Sequence, residues 1–254
     1  MIPFEVCCDT LESCMNAARG GAKRIELCCA LKLGGLTPSV GLLAKVGNEL
    51  KNHGFPGVKI YVLIRPRDGD FIYSKEEVDL MEIDIALASQ YGASGAVFGC
   101  LTKTGSVDVP STERLVSKCK ELKLDMTFHR AFDYCTDLHQ ALGEICDLGI
   151  GRVLSAGGAA SVVAGSEKLK ALVNKVDQNA MPIRIMAGGG VSCKNAKDIV
   201  AKTGCHELHG SLKTIRKTTR DGGKVSEEVC EEFSSWWVTD LGQVQEMIAH
   251  LEKL

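Results

Sequence analysis

The sequence predicts a single (β/α)8 barrel of the TIM type spanning residues 1–254. Three observations lead there. Short runs rich in β-branched or aromatic residues alternate in strict order with stretches of helical periodicity. The spacing between successive runs suits βα units and a parallel sheet. The length of 254 residues matches the size at which such barrels close as one unit. An open doubly wound sheet is the rival, but the first βα turn, "CCDTLES", carries no Gly-x-Gly-x-x-Gly.

The elements follow in order. Strand one is "PFEVCC" (3–8) and strand two "RIELC" (24–28). "TPSVGLLAKVGNEL" then opens a helix, with Thr37 as N-cap and Pro38 at the first helical position. Strand three, "KIYVLI" (59–64), leads to "SKEEVDLMEIDIALASQYG", where Ser74 caps, Glu77 stands at capping-box spacing and Gly92 stops the helix. Strand four, "GAVFGC" (95–100), precedes the helix "STERLVSKCKEL"; strand five, "LDMTFH" (124–129), precedes "DLHQALGEICDLG". Strands six, "RVLS" (152–155), and seven, "IRIMA" (183–187), precede "SEKLKALVNKV" and "SCKNAKDIVAKTG". Strand eight is "HELH" (206–209), and "LGQVQEMIAHLEKL" closes the chain as a helix. Residues of about 213–239 read as a long polar loop around Gly222 and Gly223, with "FSSWW" packing one end down.

Composition narrows the functions. Apolar residues at 45% and charged residues at 24% suit a globular chain with a real core. A net charge of −2 without blocks of like charge points away from nucleic acid and from anionic membranes. No stretch approaches the roughly 20 apolar residues that span a bilayer. "MIPFEVCCDT" has no basic n-region and no small-residue cleavage site, so a cytoplasmic location is expected, with room for a nuclear pool. In a reducing compartment the twelve cysteines are free thiols, fillers or metal ligands, not a disulfide framework. No Cys-x-x-Cys pairs appear at zinc-finger spacing.

Strand alternation sorts the side chains. Val6, Leu27, Met126, Phe128 and Leu208 should face the helices. Glu5, Cys7, Glu26, Cys28, Thr127, His129, Glu207 and His209 then face the lumen, while Cys8 and Cys29 read as packing. Tyr61, Leu63 and Arg65 share a face, Arg67 lies just beyond, and Arg130 and Asp133 continue strand five. Most of these charges sit near strand C-termini, where sites on this fold are found. Buried ion pairs filling the barrel centre would explain any one of them; the set together favours a site, because stability alone does not call for several buried charges.

Two chemistries remain open. Cys7 and Cys28 lie on adjacent strands about 4.8 Å apart, where two thiolates could hold one soft ion, with Cu(I) and zinc both suitable. Alternatively, Arg65, Arg67 and Arg130 could clamp a small phosphorylated or carboxylated anion. Glu5, Glu26, His129, Asp133, Glu207 or His209 would then supply acid/base chemistry. "AGGGVS" (187–192) and "HGS" (209–211) offer Gly188, Gly189, Gly190 and Ser211 as an anion cradle, although tight turns alone would also call for these glycines. The residues name no reaction and no organic cofactor.

"FEVCCDT", "GGAKRIELC", "GGLTPS", "IRPRDGDFIYS", "TFHRAFD" and "AGGGV", in this order over about residues 3–211, strongly resemble the CutC family of copper homeostasis proteins. The resemblance implies a (β/α)8 barrel, usually a homo-oligomer and mainly cytosolic, linked to copper tolerance and Cu(I) binding. Cys7 and Cys28 stand at the family's proposed ligand positions. "LSAGG" after strand six replaces the family's Thr-Ser-Gly pattern.

Overall fold

The computed structural model describes residues 2–217 and 235–254. Eight parallel strands close into a barrel in sequence order: β1 (Phe4–Cys8), β2 (Arg24–Leu27), β3 (Lys59–Leu63), β4 (Gly95–Phe98), β5 (Asp125–Phe128), β6 (Arg152–Ser155), β7 (Arg184–Ala187) and β8 (Glu207–Gly210). β8 pairs back onto β1, so no strand edge is left open. Among the described residues the helices are α1 (Leu11–Arg19), α2 (Val40–Asn52), α3 (Lys75–Gln90), α4 (Val109–Glu121), α5 (Leu138–Asp147), α6 (Ser166–Gln178), α7 (Ala196–Thr203) and α8 (Leu241–Leu251). None of them is long and apolar enough to cross a membrane.

Local chemistry sets the helix starts. Ser74 and Glu77 form the expected capping box on α3. Asp108, Asp137 and Asp240 cap α4, α5 and α8 through their side chains. One start differs from expectation. Ser39, not Thr37, caps α2, and its hydroxyl accepts from the Leu42 N–H at 3.1 Å. Thr37 is drawn off to the segment just after β3 instead: its hydroxyl accepts from the Arg65 N–H at 2.9 Å, and its own N–H bonds the Arg65 carbonyl at 3.0 Å.

A second difference lies after β8. The expected polar loop carries structure at both ends, β9 (Lys213–Lys217) and β10 (Ser235–Thr239), paired antiparallel. Residues 218–234, including Gly222 and Gly223, lie outside the described residues. Thr239 fastens this pair to α1: its N–H donates to Ser13 Oγ at 3.0 Å and its carbonyl accepts from Asn16 at 3.0 Å. Val238 is buried and Trp236 is largely exposed.

The main core lies between sheet and helices, and Val6, Leu27, Phe128 and Leu208 are wholly buried in it. Cys8 joins this outer core, and Met126 packs against it from a partly buried position. Inside the barrel a smaller apolar cluster gathers Cys7, Cys28, Tyr61, Leu63 and Val97. The inward patch on β1 and β2 is sheared rather than square. Cys7 stands opposite Glu26, and Glu5 stands opposite Arg24 and His209. Barrel closure requires such a stagger. The shift is an even number of residues, so every side chain keeps its face.

Candidate functional site

The lumen is stacked in layers. Deepest lies an ionic layer that links four strands. Glu207 on β8 accepts from Arg24 on β2 and from Arg152 Nε on β6, the latter at 2.8 Å. Arg24 Nε also meets Glu5 Oε2 at 2.5 Å, and Arg152 reaches the Thr127 hydroxyl at 3.1 Å. Both guanidinium groups lie over the Tyr61 ring, 5.3 and 5.4 Å from its centroid. Burial opposes ionisation of Glu5, but Arg24, His209 and Arg152 outweigh it and bring its pKa down to about 2. Glu5 and Glu207 are thus partners of fixed cations and do not line the open cavity.

Above this layer, at the C-terminal ends of the strands, a cavity of about 240 Å³ opens. Cys7, Glu26, Arg65, His129, Arg130 and His209 line it, with Phe71, Tyr134, Leu33 and Leu154 among the apolar wall. Six of the side chains expected from the sequence therefore meet. Cys7 Sγ lies 3.3 Å from Glu26 Oε1 and 3.8 Å from Cys28 Sγ. Cys28 sits behind Cys7, wholly buried, with Gly35 closing over its Cβ and Sγ. An added Cβ on Gly35 would also stand 2.7 Å from Leu63, and its φ is +89°, so this position requires glycine. The hydrogen bond to Cys28 and burial together raise the Cys7 thiol well above its usual pKa. At Cys28 the contact with Cys7 pulls down, yet burial and the Glu26 charge leave it raised. Burial also raises Glu26.

The two histidines have opposite fates. His129 Nδ1 accepts from the Ala131 N–H at 3.2 Å, and the ring leans on Phe71 with centroids 4.9 Å apart. Burial, helped by the Arg65 charge, lowers its pKa to about 3. It is a neutral hydrogen-bonding group near pH 7 and cannot exchange protons there. His209 Nδ1 meets Glu5 Oε1 at 2.9 Å. Burial opposes its charge, but Glu26, Cys7 and Glu5 hold its pKa well above the usual value. Both histidines are thus shifted away from neutrality, in opposite directions, where the acid/base role expected of them would need a pKa close to it. Cys7, Glu26 and His209 each place a ligand atom within 4.8 Å of the others, a grouping able to hold a metal ion.

Four further expectations are corrected. Arg67 does not join Arg65 in a clamp; it turns away to Glu77 at 2.5 Å and to the carbonyls of Asp68, Asp70 and Ile72. Asp133 does not face the cavity. Its carboxylate accepts from Ser155 Oγ (2.6 Å), the Ala156 and Gly158 N–H groups and Arg130 Nε (2.8 Å), and so fastens the turn after β6. Gly188, Gly189 and Gly190 form no part of the cavity wall. Gly188 lets Leu154 and His209 pack against its backbone, and Gly189 gives room to the Arg130 guanidinium. Ser211 is likewise outside the wall, with its carbonyl bonded to Thr239 Oγ1 at 3.2 Å.

Sequence reasoning passed over Arg24 and Arg152, the cations of the lower layer. Each stands two residues before a lumen residue on its own strand, Glu26 and Leu154, so the same alternation would have found them. Phe71 enters from a loop and Tyr134 from the end of a short 3-10 helix (Arg130–Tyr134), where no strand periodicity points to them.

Fold and site define the class: a closed parallel (β/α)8 barrel with a cavity at its C-terminal mouth, Cys7 in the cavity wall and Cys28 behind it. The chain belongs to the CutC family, whose model matches residues 2–214. A family protein CutC of Vibrio parahaemolyticus is 45% identical over 213 residues, covering 84% of this chain and 83% of that protein. One from Bacteroides fragilis is 44% identical over 215 residues, covering 85% and 82%. A solved CutC structure from Streptococcus agalactiae that carries a copper homeostasis name shares 32% identity at a TM-score of 0.76, over 83% of this chain and 99% of that one. Thiamine phosphate pyrophosphorylase from Pyrococcus furiosus, 16% identical at a TM-score of 0.57 over 99% and 96% of the two chains, shows the shared barrel alone.

Proposed function

We propose that this chain serves copper homeostasis by holding Cu(I), as cargo, between the thiolates of Cys7 and Cys28. The observation that carries the reading is the thiol pair itself, two sulfurs 3.8 Å apart, with Cys7 in the wall of the mouth cavity and Cys28 buried directly behind it. Metal–thiolate bonds of about 2.3 Å allow one ion to bridge such a pair, and soft thiolates favour Cu(I). The copper homeostasis name of the Streptococcus agalactiae relative supports the same choice. Both thiols are held above their usual pKa, so they carry protons in the metal-free protein and must lose them on binding. Glu26 Oε1, at 3.3 Å from Cys7 Sγ, is placed to take the first of these. The reading includes a homo-oligomer working in the cytoplasm, which light scattering and cell fractionation check.

Anaerobic titration with Cu(I) against a competing chelator tests the site. Wild type should hold one equivalent that the Cys7→Ser/Cys28→Ser variant releases to the chelator. Equal retention by the double variant would refute Cu(I) binding at this pair.

A further inference from the structure

Among the described residues seven buried side-chain nitrogen or oxygen atoms lack a hydrogen-bond partner. Three of them, Glu26 Oε2, Arg65 Nε and His129 Nε2, belong to residues lining the mouth cavity. All three residues are more than nine-tenths buried. Buried polar groups are almost always paired, so such a concentration at one cavity points to a ligand that pairs them.

Charge and shape say which kind. Arg65 is locked in place: Nη1 donates to the Leu33 and Gly35 carbonyls at 2.9 and 3.0 Å, and Nη2 to the Gly69 carbonyl at 2.9 Å. These are neutral acceptors, and no carboxylate pairs with Arg65 among the described residues. Of the other cavity cations, Arg130 is matched by Asp133 at 2.8 Å, and His209, which shares Glu5 with Arg24, is matched by Glu5 at 2.9 Å together with the charge of Glu26. One buried positive charge is thus left over, and one negative charge balances it. His129 Nδ1 is taken up by the Ala131 N–H, which puts the ring proton of the neutral imidazole on Nε2 as a donor. Phe71 joins the two donors into one wall, 5.0 Å from the Arg65 guanidinium and 4.9 Å from the His129 ring. Glu26 Oε2, on β2, offers a further polar contact. With about 30 Å³ per water in the liquid, a cavity of about 240 Å³ has room for a ligand of about ten non-hydrogen atoms or fewer.

We propose that the mouth cavity binds a small hydroxy-monocarboxylate, its carboxylate on Arg65 Nε and His129 Nε2 and its hydroxyl on Glu26 Oε2. A single-charge carboxylate fits the one unmatched cation, whereas phosphate brings more charge than the site balances. This inference does not rest on the copper reading, and the test uses metal-free protein so that the two stand or fall separately.

The probes are glycolate, acetate and inorganic phosphate, titrated while the arginine Nε–H resonances are followed by NMR. Glycolate should shift the Arg65 Nε–H signal saturably and bind more tightly than acetate. His129→Phe keeps the ring against Phe71 but removes the donor, and should weaken glycolate binding by about tenfold or more, the usual worth of a hydrogen bond to a charged group. Leu33→Asp places a negative charge on the exposed rim, where Leu33 is 51% accessible and folding is not at stake. It should also weaken glycolate, and less so at high salt. An unmoved Arg65 signal, phosphate binding as tight as glycolate, or wild-type affinity in the Leu33→Asp protein would overturn the proposal. Acetate binding as tightly as glycolate would overturn the hydroxyl contact to Glu26.

Discussion

Glu207→Gln should destabilise the barrel while leaving the thiol pair able to hold Cu(I). The Glu207 side chain is 3% exposed and anchors both Arg24 and Arg152. After the change Arg24 still has Glu5 at 2.5 Å, but Arg152 is left without a carboxylate partner and keeps the Thr127 hydroxyl at 3.1 Å and its place over the Tyr61 ring. Removing one partner of a buried pair costs about 3–5 kcal/mol, because the other charge is stranded. The 12% exposure of each arginine lets water relieve part of this, which places the loss near the lower bound, about 3 kcal/mol. For a chain of this size that loss lowers Tm by about 6–12 °C. Urea unfolding and a thermal scan measure it. Glu207→Gln/Arg152→Met removes the stranded cation and should recover most of the stability. A Tm drop below about 2 °C, or a double variant no more stable than the single one, would refute the assignment of Glu207 to structure.

His129 should show no ring titration by NMR between about pH 5 and 8, since burial lowers its pKa to about 3. In the unfolded chain it binds a proton near pH 6.5, so stability falls as pH drops from there toward 3, by up to about 1.4 kcal/mol per pH unit. His129→Phe should flatten that part of the pH–stability curve, and an unchanged slope would contradict the depressed pKa. Gly165→Ala should destabilise by about 3 kcal/mol or more, because its Cβ would lie 1.8 Å from the Ala156 carbonyl oxygen and the backbone itself must move. A Tm within error of wild type would show that the turn yields freely. Arg67→Ala should change stability by about 1 kcal/mol, its ion pairs being partly exposed, and should leave both Cu(I) and glycolate binding as in wild type. A loss of either ligand would put Arg67 back at the site.

The alternation of strands and helices, the inward facing of Glu5, Cys7, Glu26, Cys28, His129, Glu207 and His209, and the kinship to CutC proteins were all legible in the sequence. These are local properties: a period of two assigns faces whatever the neighbouring strand does, and motif order survives without coordinates. The height of each inward residue was not legible. Barrel closure shears β1 against β2, so Cys7 meets Glu26 and Glu5 drops to the level of Arg24 and His209. That shear divides one apparent pool of charge into a paired ionic layer below and an open cavity above. Loop conformation was equally out of reach, and it alone sends Arg67 outward to Glu77, turns Asp133 onto the β6 turn and brings Phe71 inward to the cavity. Which side chains face the barrel axis is written in the chain's periodicity. Which of them are left free to meet a ligand depends on interstrand register and loop packing, both set by contacts between residues far apart in sequence.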